Sequence, residues 1–131
     1  MMQRLLRVLR LFSTLFAYLL FGVFGSALAL VLPLLLCRQP PGLPGQLRAR
    51  RAVSRVWSGY LAWMRLTGIC RVRWHGRERL GRPGQLVLVN HPSLMDVLFM
   101  MSAVPAGNCV VKASLLKNPS MRPSIRACGF I

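Results

Sequence analysis

A histidine and an aspartate five positions apart, His91 and Asp96, are the residues of this sequence best suited to acid–base chemistry. Pro92 favours an extended backbone at His91. Asp96 lies about one helical turn into the element that follows, and from there its carboxylate can reach the imidazole. A carboxylate that holds one ring nitrogen leaves the other nitrogen free to accept a proton. The pair therefore predicts a general base that activates an alcohol.

The same segment has a second interpretation, which concerns folding rather than chemistry. Ser93 and Asp96 stand three positions apart, as in a capping box, where both side chains bond backbone N–H groups at the start of a helix. Ser93 can cap the helix while Asp96 faces His91, so both interpretations stay open. The only other carboxylate of the chain is Glu78. His75 follows an exposed, arginine-rich segment and is interpreted as a surface residue.

The composition excludes several classes of function. The 131 residues include 18 Lys or Arg but only 2 Asp or Glu, which gives a net charge of +16, and 54% of the residues are hydrophobic. Two acids cannot build a carboxylate-dyad glycosidase, a two-metal phosphotransferase or an EF-hand. The four cysteines form no C-x-x-C pair, and the two histidines are not at zinc-finger spacing from them. No metal site is therefore predicted.

Residues 1–37 are predicted to form a membrane anchor helix. No charged residue occurs from Leu11 to Cys37, a run longer than the ~20 apolar residues that cross a bilayer. A signal peptide with a cleavage site near Ala29 is an alternative, but the apolar run continues beyond that point. The larger positive excess follows the run, which predicts a cytoplasmic location for the rest of the chain. A spanning helix, a hairpin and an in-plane helix all stay open.

Residues 38–69 are predicted to be a linker followed by a basic amphipathic helix. The prolines and glycines of 39–45 disfavour a helix, whereas apolar residues at three-and-four spacing predict one over 46–67. Three arginines lie on another face of this helix: Arg48, Arg51 and Arg55. The pattern fits a membrane-surface helix and a helix that caps a core equally well.

Residues 70–131 are predicted to form an α/β unit. Strands are predicted over 70–75, 85–90 and 109–112 and from residue 129, with helices over 95–103 and 119–128. This alternation of strands and helices is typical of an α/β core. His91 falls at the carboxyl end of a strand, where such folds bind their ligands.

The segment around the predicted base reads Asn90-His91-Pro92-Ser93-Leu94-Met95-Asp96. It resembles the N-H-x-S-x-x-D signature of the lysophospholipid (1-acylglycerol-3-phosphate) acyltransferase family. Residues 72–80 resemble the strand and turn that precede the signature, and residues 111–119 resemble the lysine-bearing strand and loop that follow it. The resemblance covers about residues 70–131 and implies the first, incomplete part of an acyltransferase domain. The family's arginine-bearing and glutamate-glycine-threonine motifs would come after Ile131.

The resemblance implies acyl transfer from acyl-CoA or acyl carrier protein to a lysophospholipid hydroxyl, in phospholipid biosynthesis at a bacterial-type inner membrane. His91 and Asp96 would be the catalytic pair, with Asn90 and Ser93 in support. Lys112 is a candidate substrate contact. The implied partners are membrane lipids and the acyl donor, which is a co-substrate, and no metal or other cofactor is implied.

Two other functions are compatible with the basic, apolar composition. A non-catalytic membrane-surface module would bind anionic lipid through the arginines of the 46–67 helix. Nucleic-acid binding is suggested by the net charge together with aromatic residues among the arginines, namely Trp57, Tyr60, Trp63 and Trp74. The long apolar run and the lack of a helix-turn-helix or zinc pattern argue against nucleic acid.

Overall fold

The computed structural model of the chain describes residues 2–36, 42–90 and 93–131. Cys37, His91 and Pro92 lie outside these ranges. The described residues form four α-helices: α1 (Met2–Leu36), α2 (Leu43–Leu66), α3 (Leu94–Ala103) and α4 (Arg122–Cys128). Two short 3₁₀ helices lie between them, at Arg77–Arg79 and Ala113–Lys117.

Helix α1 is long and apolar. Its stretch Gln3–Leu34 has 32 residues, and an 18-residue window within it has a mean hydropathy of 2.3, so by length and composition it could cross a membrane. Signal sequences and the core helices of soluble proteins meet the same criterion. Most of the helix surface is exposed, but Ala17, Leu28 and Leu32 are buried against the other helices. One side of α1 therefore belongs to the protein core.

Aromatic side chains join α1 to α2. Phe21 stacks on Trp57 with ring centroids 5.0 Å apart, and Phe16 meets Trp63 edge-on at 5.8 Å. Because the earlier residue of α1 pairs with the later residue of α2, the two helices run antiparallel. Such aromatic pairs add about 0.5–1.5 kcal/mol each to the free energy gained by burying their area.

The aromatic residues of α2 are either part of the protein core or an exposed surface on which bases could stack, and the burial of Tyr60 distinguishes the two. Tyr60 is 2% exposed, and its hydroxyl donates a 2.8 Å hydrogen bond to the backbone carbonyl of Ala17. Trp57 is buried as well, and Trp63 packs against the same cluster. These rings are part of the core, so they do not offer the exposed stacking surface that nucleic-acid binding would use.

The start of α2 differs from the prediction. The prolines and glycines of 39–45 predict a linker, but the helix begins at Leu43. Pro44 lies in the first turn, where the N–H that proline lacks would have no helical partner. Gly42 precedes the helix with a φ of 121°, a conformation that glycine adopts readily. The linker prediction is therefore wrong from Leu43 to Gly45.

The predicted α/β core is not confirmed, because none of the described residues lies in a β-strand. The backbone hydrogen bonds of a helix form within the helix itself, whereas those of a strand require a second strand beside it. One pair of bonds has the parallel pattern: Ile131 N–H donates to the Cys109 carbonyl at 3.0 Å, and Val111 N–H donates to the Ile131 carbonyl at 2.7 Å. Leu86 and Leu88, in another predicted strand, are 83% and 87% exposed.

Candidate functional site

The candidate site is built at the amino-terminal end of α3. Ser93 is the N-cap residue, with an extended backbone, and Asp96 lies in the first turn of the helix. Oδ2 of Asp96 accepts a hydrogen bond from the backbone N–H of Ser93 at 3.0 Å and another from its hydroxyl at 2.9 Å. The two residues form a capping box. The capping interpretation of their spacing is confirmed.

Capping uses only one carboxylate oxygen of Asp96. Both hydrogen bonds end on Oδ2, and no residue in the described ranges donates to Oδ1. The side chain is half-buried at the start of the helix. His91 lies outside the described residues, so its pairing with Asp96 stays a prediction.

An open cleft of about 250 Å³ lies beside Asp96. Three segments form it: residues 72–74, residues 89 and 90, and the first two turns of α3. The lining residues are Val72, Arg73, Trp74, Val89, Asn90, Asp96, Phe99 and Met100. Its walls are mainly apolar, with one guanidinium, one amide and one carboxylate. A mostly apolar lining with a few polar groups is typical of small-molecule sites.

Arg73 and Trp74 line this cleft, although the sequence did not single them out as site residues. The alternation over 70–75 predicts a half-exposed strand and gives no reason to bring Arg73 and Asp96 to the same cleft. The guanidinium of Arg77 lies 5.3 Å from the centroid of the Trp74 ring. This cation–π contact helps to fix the position of the Trp74 side chain in the cleft.

The other predicted site residues fall into two places. Asn90 lines the cleft and is exposed. Lys112 is exposed and precedes the second 3₁₀ helix, where its carbonyl accepts a 2.9 Å hydrogen bond from the backbone N–H of Leu115. Lys112 is not among the lining residues of the cleft. Its role as a substrate contact stays a prediction.

The cysteines in the described ranges are free thiols that are poorly suited to act as nucleophiles. Burial raises the pKa of Cys128 to about 11, against a smaller lowering effect of Arg50. Burial also raises the pKa of Cys70 and of Cys109. Because the thiolate is the reactive form, a raised pKa keeps these side chains inert near neutral pH.

Within the part of the chain that the structure describes, no group of three or more His, Cys, Asp or Glu side chains is arranged to hold a metal ion.

Comparison with known proteins gave one match. Residues 71–131 match the protein-family model described as Acyltransferase. The matched range includes every residue that lines the cleft. No curated protein and no solved structure matches the chain.

Proposed function

Since residues 71–131 match the Acyltransferase family model, we propose that this protein transfers an acyl group from acyl-CoA or acyl carrier protein to the hydroxyl of a lysophospholipid, in phospholipid biosynthesis. One observation carries the proposal: Asp96, inside the matched range, lines an open cleft and keeps Oδ1 free of bonds to described residues. This is the oxygen that a neighbouring histidine needs.

The proposed chemistry uses His91 as a general base. His91 takes the proton of the acceptor hydroxyl, the hydroxyl oxygen attacks the thioester carbonyl, and the carbon–sulfur bond breaks. The proton then passes from His91 to the leaving thiolate. Asp96 Oδ1 accepts a hydrogen bond from the second ring nitrogen, which orients the imidazole and stabilises its charged form. The scheme needs no acyl-enzyme, in keeping with the inert cysteines.

Acylation of lysophosphatidate by acyl-CoA or by acyl carrier protein thioester tests the proposal. His91→Ala should lower kcat by about 10²- to 10⁴-fold, the usual contribution of a general base. His75→Ala is the matched control, because His75 is exposed and outside the signature. Equal turnover by the wild type and His91→Ala would contradict the proposal. Lipid binding without turnover on any acceptor would favour the non-catalytic membrane-surface module.

The packing of α2 on α1 supports a membrane location in which both helices lie in the interface. Phe21 is near the middle of the apolar stretch of α1, and it stacks on Trp57. Arg55, which is exposed, precedes Trp57 by two positions on α2. If α1 spanned the bilayer upright, Arg55 would therefore lie within the hydrocarbon core, at a cost of roughly 2.5–3.5 kcal/mol near the centre.

An in-plane arrangement avoids this cost. The exposed leucines and phenylalanines of α1 enter the boundary of the acyl chains, while the exposed Arg51 and Arg55 of α2 reach the anionic headgroups. The cleft then lies close to the surface from which a lysophospholipid is drawn. We assign this surface to the cytoplasmic side of a bacterial-type inner membrane.

A further inference from the structure

Arg73 is the only cation among the described residues that line the cleft beside Asp96. Its neighbours in the lining are mainly apolar, and they include Val72, Phe99 and Met100. A cation beside an apolar wall matches a ligand that has both an anionic group and an alkyl part.

The carboxylates of the chain do not neutralise Arg73. Glu78 lies 3.9 Å from the Nε of Arg79, and both side chains are exposed. Oδ2 of Asp96 accepts two hydrogen bonds from Ser93. No ion pair between Arg73 and a described residue is present. The guanidinium of Arg73 is therefore available to an anion that comes from outside the chain.

We propose that Arg73 binds a phosphate group of a substrate in this cleft. A guanidinium presents its donors in a planar fork that matches the oxygens of a phosphate. The proposal rests on the proposed function, because both substrates of that reaction carry phosphate: the lysophospholipid in its headgroup and acyl-CoA in its nucleotide. Arg73 is a binding residue and takes no part in the proton transfer.

Equilibrium binding of matched ligands to the full chain in neutral detergent tests the assignment. One pair of probes is lysophosphatidate and the monoacylglycerol with the same acyl chain. The other pair is acyl-CoA and the corresponding acyl-pantetheine, which lacks phosphate. Arg73→Gln should weaken the binding of one phosphate-bearing ligand by about tenfold. This is the low end of the range for a hydrogen bond to a charged group, because Arg73 is exposed to solvent. Its phosphate-free counterpart should bind unchanged.

Two further variants make the result specific. Arg71→Gln is the matched control, since Arg71 is exposed in the same segment but does not line the cleft; it should leave all four affinities unchanged. Arg73→Lys keeps the charge without the planar fork and should bind the phosphate ligand with intermediate affinity. The pair of probes that shows the loss identifies which substrate brings the phosphate.

The proposal is overturned if the wild type binds neither phosphate ligand more tightly than its counterpart. It is also overturned if Arg73→Gln and Arg71→Gln weaken binding equally, because the effect would then be one of overall charge. Binding requires no turnover, so this result is independent of the test on His91. If His91→Ala keeps wild-type activity while Arg73→Gln loses affinity for the phosphate-bearing ligand, the acid–base scheme is refuted and the phosphate site is supported.

Discussion

The Nε of Arg50 donates a 2.7 Å hydrogen bond to the backbone carbonyl oxygen of Cys128. Arg50 lies on α2 and is 8% exposed, and Cys128 ends α4. The same guanidinium donates at 3.4 Å to the carbonyl oxygens of Ala106 and Gly129. A cation is favourable at the carbonyl end of a helix, where it offsets the helix dipole. One buried side chain thus joins α2 to the end of α4 and to the loop after α3.

Replacement of Arg50 by alanine should lower the free energy of unfolding by about 2–3 kcal/mol, because a charged donor is lost and the buried carbonyl of Cys128 is left without it. Denaturant unfolding in detergent, followed by tryptophan fluorescence, measures this loss. Arg51→Ala is the matched control: Arg51 is the next residue and is exposed, so its loss should change stability by less than about 0.5 kcal/mol. Equal effects of the two changes would show that the Arg50 bonds contribute little.

Capping and catalysis at Asp96 can be separated by two substitutions. Ser93→Ala removes the N-cap hydroxyl and should cost about 1 kcal/mol of stability, with activity kept within a few-fold. Asp96→Asn keeps an oxygen that accepts from Ser93 but removes the negative charge, so kcat should fall by about 10²- to 10⁴-fold. Melting temperature and kcat are measured on both variants. A parallel loss of activity in the two would mean that Asp96 acts only as a cap.

The stability of the protein should fall as the pH rises from about 9 to about 11, in part because of Cys128. The pKa of this thiol is about 11 in the folded chain, against an ordinary value of 9.0. The unfolded chain therefore releases the proton first, and the folded state loses about 2–3 kcal/mol across this window. Unfolding free energies of the wild type and Cys128→Ala at about pH 8 and about pH 11 give the difference in slope. Identical slopes would refute the assignment to Cys128.

An in-plane α1 should leave its amino terminus and the start of α2 on the same face of the membrane, whereas a spanning α1 would separate them. Gln3→Cys and Leu43→Cys, at exposed positions on either side of the apolar stretch and each in a background without native cysteines, report this in sealed vesicles through labelling by a membrane-impermeant maleimide. Both positions should then be labelled from the same side. Labelling from opposite sides would show that α1 spans the bilayer.

The sequence predicted the helices closely because their stabilising bonds are local. The helix predicted over 95–103 is found at Leu94–Ala103. The last helix was predicted from Pro119, but it begins at Arg122. The side chain of Asn118 accepts a 2.9 Å hydrogen bond from the N–H of Ser120, which forms a turn in place of the first helical turn.

Strands and the cleft depend on residues that are distant along the chain. The apolar run over 85–90 has the composition of a buried strand, yet its bonds must come from partners that the pattern does not specify. The presence of Arg73 and Asp96 in the lining of one cleft likewise depends on how residues 72–74 lie against α3. The burial of Arg50 also depends on distant residues, because nothing in the neighbouring sequence distinguishes it from Arg48 and Arg51, which are exposed.

The exposed leucines at Leu86 and Leu88 have a consequence for handling the protein. Their segment is apolar and outside any helix, and within residues 86–90 no backbone N–H donates to another described backbone carbonyl. Such an edge is a template on which a second molecule can add a strand. Away from lipid and at high protein concentration, self-association should begin at this edge, and a charged residue in place of Leu88 should slow it.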